Sequence, residues 1–168
     1  MFNNLLFALT LLSALGSGLI AGAFFAFSTF VMGALGRLPA AHGIAAMQSI
    51  NVVVINLWFL GVFIGTAAAC ALLVAAALLA WQEPGAILLL VGALLYFLGT
   101  FLVTMFFNVP LNDALAAVAP DSSAGASLWT GYLSTWTNWN HVRTIAALAA
   151  SALLTIALCL QARGVAAV

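Results

Sequence analysis

The side chains of this sequence that could do chemistry fall in two segments. One carries His42, Gln48, Asn51, Asn56 and Trp58; the other carries Asn108, Asn112, Asp113, Asp121, Trp129, Tyr132, Trp136, Asn138, Trp139, Asn140, His141 and Arg143. Arg143 stands at the edge of an apolar run. An ionisable group at or inside a membrane is costly, which makes it a functional candidate with a partner expected. The candidate partners are Asp113, Asn140, Asn108 and Tyr96, and the plain alternative is an arginine whose charge snorkels to water at the membrane surface. A guanidinium set among amide groups can stabilise a developing oxyanion. Imidazole is the side chain suited to proton transfer near neutral pH, which makes His42 and His141 the candidate general bases. Trp129, Trp136 and Trp139 suit either a membrane interface or an aromatic wall against a flat apolar ligand.

Other chemistries find little support. Two histidines at one end invite a metal or haem, but no HxxxH or HxxE spacing accompanies them and the ligand count falls short of a metal site, so no cofactor is predicted. Cys70 and Cys159 each lie in an apolar run, with neither metal-ligand nor disulfide-framework spacing. No phosphate-binding glycine loop, GxSxG elbow or acidic pair appears, which disfavours nucleotide enzymes and hydrolases. Lysine is absent and the formal net charge is +0. No basic surface exists to follow a phosphate backbone, and nucleic acid is excluded as a partner.

The elements that position these residues follow from composition. Hydrophobic residues make up 67% of the 168 positions, and the charged residues are Arg37, Glu83, Asp113, Asp121, Arg143 and Arg163. So few charges cannot cover a water-exposed surface. Four stretches are long and apolar enough to span a bilayer: Leu5 to Leu35, Val52 to Trp81, Ala86 to Phe107, and Ile145 to Leu160 with a polar run-in from Trp139. Uninterrupted apolar runs exclude the alternation of a barrel. The expected fold is all-α, one integral membrane domain over residues 1–168 built as a four-transmembrane-helix bundle. Short interfacial helices are expected in the first loop (Pro39 to Ser49) and the third (from Pro110, and Ser123 to Ser134), with Asn108 as a helix cap. The N-terminal stretch lacks the charged flank and cleavage site of a secretory signal and reads as a retained first span.

In such a bundle the first and third loops emerge on one face of the membrane, so both polar segments meet at one end. Tyr96, Thr100, Thr104 and Asn108 recur every four residues and share one helical face, which must point inward because polar groups facing lipid go unsatisfied. Trp129, Tyr132, Trp136, Trp139 or Asn140, and Arg143 follow a three-four rhythm. His141 lies about 200° around the helix from Arg143, so the two cannot enter one pocket. Ser28, Thr29, Thr66 and Thr144 can bond back to their own helices. Two small-residue rows, Ala14-Gly18-Gly22-Ala26 and Gly61-Gly65-Ala69, allow close helix packing or a homo-oligomer face. Counting Arg37 and Arg143 on one side against Arg163 on the other leans toward cytoplasmic first and third loops.

Four segments resemble a family. Gly22-Ala23-Phe24-Phe25-Ala26-Phe27-Ser28, Met47-Gln48-Ser49-Ile50-Asn51, Asn108-Val109-Pro110-Leu111-Asn112 and Trp136-Thr137-Asn138-Trp139-Asn140-His141-Val142-Arg143 are similar to the small four-helix membrane proteins of the anthrone oxygenase-like class. The resemblance covers nearly the whole chain and is most specific in its last two motifs. It implies an oxidoreductase that inserts oxygen from O2 into an activated ring carbon of an anthrone or similar aromatic, drawn from membrane lipid. It implies residence in the bacterial cytoplasmic membrane. Under it Arg143 with Asn140, Asn108 or Asn112 would hold the oxyanion, Trp136 and Trp139 the slot, and His42 or His141 the proton, with Tyr96, Gln48 and Asn51 lining the substrate site. The competing expectation is a non-catalytic protein that binds a lipid or quinone, or a helical subunit of a larger assembly.

Overall fold

The computed structural model describes the backbone of residues 2–166 and the side chains of residues 4–161. These residues form helices and turns only. Helix α1 (Phe2–Ala26) continues through a π-helical turn at Phe27–Val31 into α2 (Met32–Leu35). Helix α3 (Ala40–Val53) follows, then α4 (Leu57–Leu79) and α5 (Ala86–Leu94), which continues through π-helical Leu95–Leu102 and Thr104–Asn108 into α6 (Val109–Ala116); α7 (Ser123–Ala166) is the last helix of the described residues. Four continuous stretches are long and apolar enough to cross a membrane: Asn4–Leu35, Leu57–Leu79, Ala86–Ala116 and Ser123–Gln161. The all-α four-helix membrane bundle expected from composition is the fold found.

Neighbours in the bundle are α1 with α7, α7 with α5, α5 with α4, and α4 with α1. Close approach depends on small residues, since no hydrophobic force separates helix from lipid. A Cβ on Gly99 would stand 2.7 Å from that of Ala146, and one on Gly18 would stand 3.1 Å from Ser151 Oγ. The first small-residue row therefore packs in part on α7, where Ser151 donates to the carbonyl of Ala14 at 2.9 Å. A Cβ on Gly61 or Gly65 would meet no atom within 4 Å; with Leu12 and Leu19 these glycines line an apolar hollow between α1 and α4. Leu12, Leu19, Leu72, Ile87 and Leu148 are exposed, as side chains solvated by lipid must be.

Turn chemistry closes the helices. Asn56 caps α4 by accepting from the Phe59 N–H at 3.0 Å. Gly85 enters α5 with φ +86, the left-handed region that glycine reaches without steric cost. At the polar end a second apolar core forms around Ile44, Met47, Leu115, Trp129, Tyr132 and Trp136, beyond the core of the spans. It seats α3 on α7: a Cβ on Gly43 would meet Trp129 Cζ2 at 2.8 Å and the Leu35 carbonyl at 2.9 Å. Backbone cannot yield as a side chain does, so Gly43→Val is expected to destabilise the protein by about 1–3 kcal/mol. A denaturation series in detergent measures this, with an unshifted midpoint as the contrary result.

Three sequence expectations are corrected here. The stretch from Ser123 to Ser134 is not a separate interfacial helix but the first part of α7. At 1.5 Å per residue this helix is roughly 66 Å long, about twice the hydrocarbon thickness, so its polar half extends past the spans. Asn108 is not a cap: its backbone is helical and its side chain bonds elsewhere, while the helix runs through Pro110 by changing from π to α register. Arg143 lies inside α7 at 3% exposure, not beside a loop. It therefore drops out of the orientation count, Arg37 is exposed, and the Arg163 side chain lies outside the described residues.

Candidate functional site

The bundle brings one set of polar side chains together where the two apolar cores meet. Tyr96, Thr100 and Asn108 are buried and Thr104 is half-buried, so the four-residue row faces inward. On α7, Asn140 and Arg143 are buried one turn apart. Arg143 Nη2 donates to Asn140 Oδ1 at 2.6 Å, and Nη1 donates to Thr104 Oγ1 at 3.2 Å. Asn140 Nδ2 donates at 2.7 Å to both the Phe24 carbonyl and Ser28 Oγ, which fastens α7 to the end of α1. Ser28 Oγ and Thr144 Oγ1 lie 3.2 Å apart. Thr100 donates to the Arg143 carbonyl at 3.3 Å, a reach made short by the close crossing of Gly99 and Ala146.

The electrostatics of this arrangement are unusual. The guanidinium carbon lies 4.0 Å from the Phe24 ring centre and 5.1 Å from that of Trp136. Aromatic faces recover part of the desolvation cost of a cation. No carboxylate among the described residues contacts it, and Glu83, Asp113 and Asp121 are all exposed. Arg143 Nε is buried with no partner, and so is Asn108 Oδ1, whose amide nitrogen donates to the Trp136 carbonyl at 3.2 Å. The site thus offers an uncompensated positive charge, a free N–H donor and a free acceptor.

Aromatic side chains make one wall. Trp129 stacks on Tyr132 with centroids 5.5 Å apart, and Tyr132 on Trp136 at 6.3 Å. Asn112 Oδ1 accepts from both Tyr132 Oη at 2.9 Å and Trp136 Nε1 at 2.8 Å, so one oxygen fixes both rings. Gln48 Nε2 donates to the carbonyls of Leu115 and Val118, tying α3 to the end of α6. Asn51 Nδ2 is buried without a partner.

Several expected members sit apart from this set. Tyr96 is buried deeper and donates to the Phe63 carbonyl at 3.1 Å. Trp139 does not pair with Trp136 as a slot; it stacks on Phe107 at 3.8 Å, toward the outside of the bundle. His42 and His141 are exposed, and His141 points away from Arg143 as helical geometry requires. Phe24, Ser28 and Thr104 are the contributors that sequence reasoning did not assign. Thr104 belongs to the inward row and was readable from it, whereas Phe24 sits in a run of aromatic and aliphatic residues that marks no face. Among the described residues, no three of histidine, cysteine, aspartate and glutamate group as metal ligands do.

Comparison with known proteins places the chain in a family. No curated protein and no solved structure matches the chain. The sequence profile described as anthrone oxygenase matches residues 56–153, more than half of the chain. That stretch holds Asn108, Asn112, Trp136, Asn140 and Arg143, while Phe24, Ser28, His42, Gln48 and Asn51 lie before it. With that match, the chain belongs to the anthrone oxygenase-like family.

Proposed function

We propose that this protein is a membrane oxidoreductase of the bacterial cytoplasmic membrane that uses O2 to oxidise an anthrone or similar hydrophobic aromatic to the quinone. The carrying observation is the buried Arg143, with no carboxylate partner and a free Nε donor. A charge in that state is suited to meet an anion supplied by a ligand. Family membership supports the substrate class.

An anthrone holds an acidic CH2 opposite its carbonyl. Loss of one proton to water at the polar end gives a delocalised anion, with negative charge on the carbonyl oxygen. Arg143 stabilises that oxygen, and the aromatic faces of Phe24 and Trp136 border the site. The ring carbon then gives up electrons to O2 and forms a C–O bond, and the peroxide takes a proton. Loss of the second C–H proton as the O–O bond breaks yields the new carbonyl and one water. One O2 is consumed per quinone, and no hydrogen peroxide is released.

In this scheme the guanidinium promotes deprotonation by stabilising the anion, and neither histidine touches the substrate. His42→Ala and His141→Ala are each expected to keep turnover within about twofold, because an exposed group outside the site contributes none of the usual acid–base factor. A loss of a hundredfold or more in either variant would make that imidazole the base. Oxygen uptake by the purified protein in detergent tests the activity itself. The expected result is one O2 per anthraquinone without peroxide; uptake no faster than the spontaneous reaction would refute it.

A further inference from the structure

Asn108 Oδ1 and Arg143 Nε are both buried without a partner, one an acceptor and the other a donor. They adjoin the same residue, Trp136: Asn108 Nδ2 donates to its backbone carbonyl at 3.2 Å, and the guanidinium carbon lies 5.1 Å from its ring centre. Thr104, which accepts from Arg143 Nη1, stands one helical turn from Asn108 on the same inward row. We propose that Asn108 is a specificity-determining residue, whose Oδ1 accepts from a phenolic hydroxyl of the aromatic ligand that Arg143 holds by another oxygen. The proposal rests on the reading of Arg143 as the seat of a ligand oxygen.

The orientation of the amide carries the argument. A carbonyl only accepts, so Nδ2 must face that of Trp136 and Oδ1 must face away from it. Asn108 is 1% exposed, and an acceptor left unpaired at that depth costs its full desolvation. Buried polar atoms nearly always find a partner, and no donor of the described residues reaches this one. An oxyanion would be repelled by the amide oxygen, so the anionic oxygen belongs to Arg143. Asn108 requires a group that still carries a proton.

The carbonyl of an anthrone or a quinone cannot supply that proton, whereas a hydroxyl can. The hydroxyl must also be free within the ligand: one beside the carbonyl donates to that carbonyl, and one farther round the ring does not. A site that hydrogen-bonds a ligand hydroxyl rejects the analogue lacking it, because its own buried polar group is then left unpaired. Arg143 thus holds the oxygen common to these ligands, and Asn108 sorts them by substitution.

The test is binding of anthraquinone and of 2-hydroxyanthraquinone, whose hydroxyl is too far from either carbonyl to bond it. Binding is read by quenching of tryptophan fluorescence on the full chain in detergent, below the pKa of the phenol so that the hydroxyl keeps its proton. Asn108→Leu preserves the shape of the side chain, and Asn108→Ala is the second variant should leucine disturb the fold. Each ligand is compared between proteins, which cancels its partition into the micelle. The substitution is expected to weaken 2-hydroxyanthraquinone about tenfold, the scale of a buried group deprived of its hydrogen bond, and to weaken anthraquinone by no more than about twofold. Equal weakening of both would make Asn108 a purely structural residue, and unchanged affinity for both would leave its oxygen to an ordered water; either result overturns the proposal. Failure of the wild type to bind 2-hydroxyanthraquinone does the same. Anthrone turnover in the same preparations separates this from the oxygenase reading. If the weakening is selective and no anthrone is oxidised, Asn108 keeps its role and the oxygenase reading falls. If anthrone is oxidised and the weakening is not selective, the role of Asn108 alone is refuted.

Discussion

Arg143→Gln is expected to lower anthrone turnover by a factor of 10² to 10³ while the bundle stays folded. Glutamine is uncharged and ends at the level of Nε, so the charge is lost together with the Nη bonds to Thr104 and Asn140. Two unit charges 4 Å apart attract by about 4 kcal/mol at an effective dielectric constant of 20. By the rate arithmetic, about 4 kcal/mol is close to a thousandfold. Loss of one oxyanion-stabilising donor costs a similar 10² to 10³. The stability consequence runs the other way. Arg143 is 3% exposed without a counter-ion, and an uncompensated buried charge costs several kcal/mol that ring contacts and two hydrogen bonds offset only in part. The melting temperature of Arg143→Gln should equal or exceed that of the wild type. Turnover and thermal melting measured together check this, and a variant both active and less stable would contradict it on each count.

Asn140→Asp is expected to do comparable damage by a different route. Its Oδ1 already accepts from the guanidinium at 2.6 Å, so aspartate would place a formal negative charge on Arg143 with little movement. The cation would then be neutralised from within, and a substrate anion would gain nothing by approaching it. Ser28 can turn its hydroxyl to donate to the new carboxylate, since a hydroxyl serves as donor or acceptor. The Phe24 carbonyl, which accepts from Asn140 Nδ2 at 2.7 Å in the wild type, loses its donor and meets a carboxylate oxygen, so the α1–α7 clasp keeps its Ser28 half and the fold is expected to persist with reduced stability. A double-mutant cycle separates this from simple disruption: Asn140→Asp added to Arg143→Gln should cost little more than either alone, because both remove one charge. Additive losses would show that Asn140 acts independently of Arg143.

The legible part of this site was the part governed by period and solvent. The row Tyr96, Thr100, Thr104 and Asn108 could be assigned an inward face because hydroxyls and amides cannot be left in lipid, and the opposition of His141 and Arg143 follows from the helical turn alone. Periodicity gives a face but not a partner. Asn108 and Asn112 both appeared as ligands for a substrate; the amide nitrogen of Asn108 bonds the Trp136 carbonyl and its oxygen stays free, while Asn112 fixes two aromatic rings. Trp139 was drawn into the slot with Trp136, but three residues along the helix turned it onto Phe107. The depth of Arg143 was not readable either. It depends on α7 continuing unbroken from Ser123, and on the π turns that bring Ser28 and Thr104 to its level, neither of which leaves a composition signal.

The central claim is that the charge of Arg143 drives oxidation of an anthrone. Its most direct test is the initial rate of anthraquinone formation in air-saturated detergent, with wild type and Arg143→Gln assayed side by side against the protein-free reaction. A wild-type rate well above the spontaneous one, falling at least a hundredfold toward it in the variant, is the predicted result. Equal rates in the two proteins, whether fast or at the spontaneous level, would contradict it.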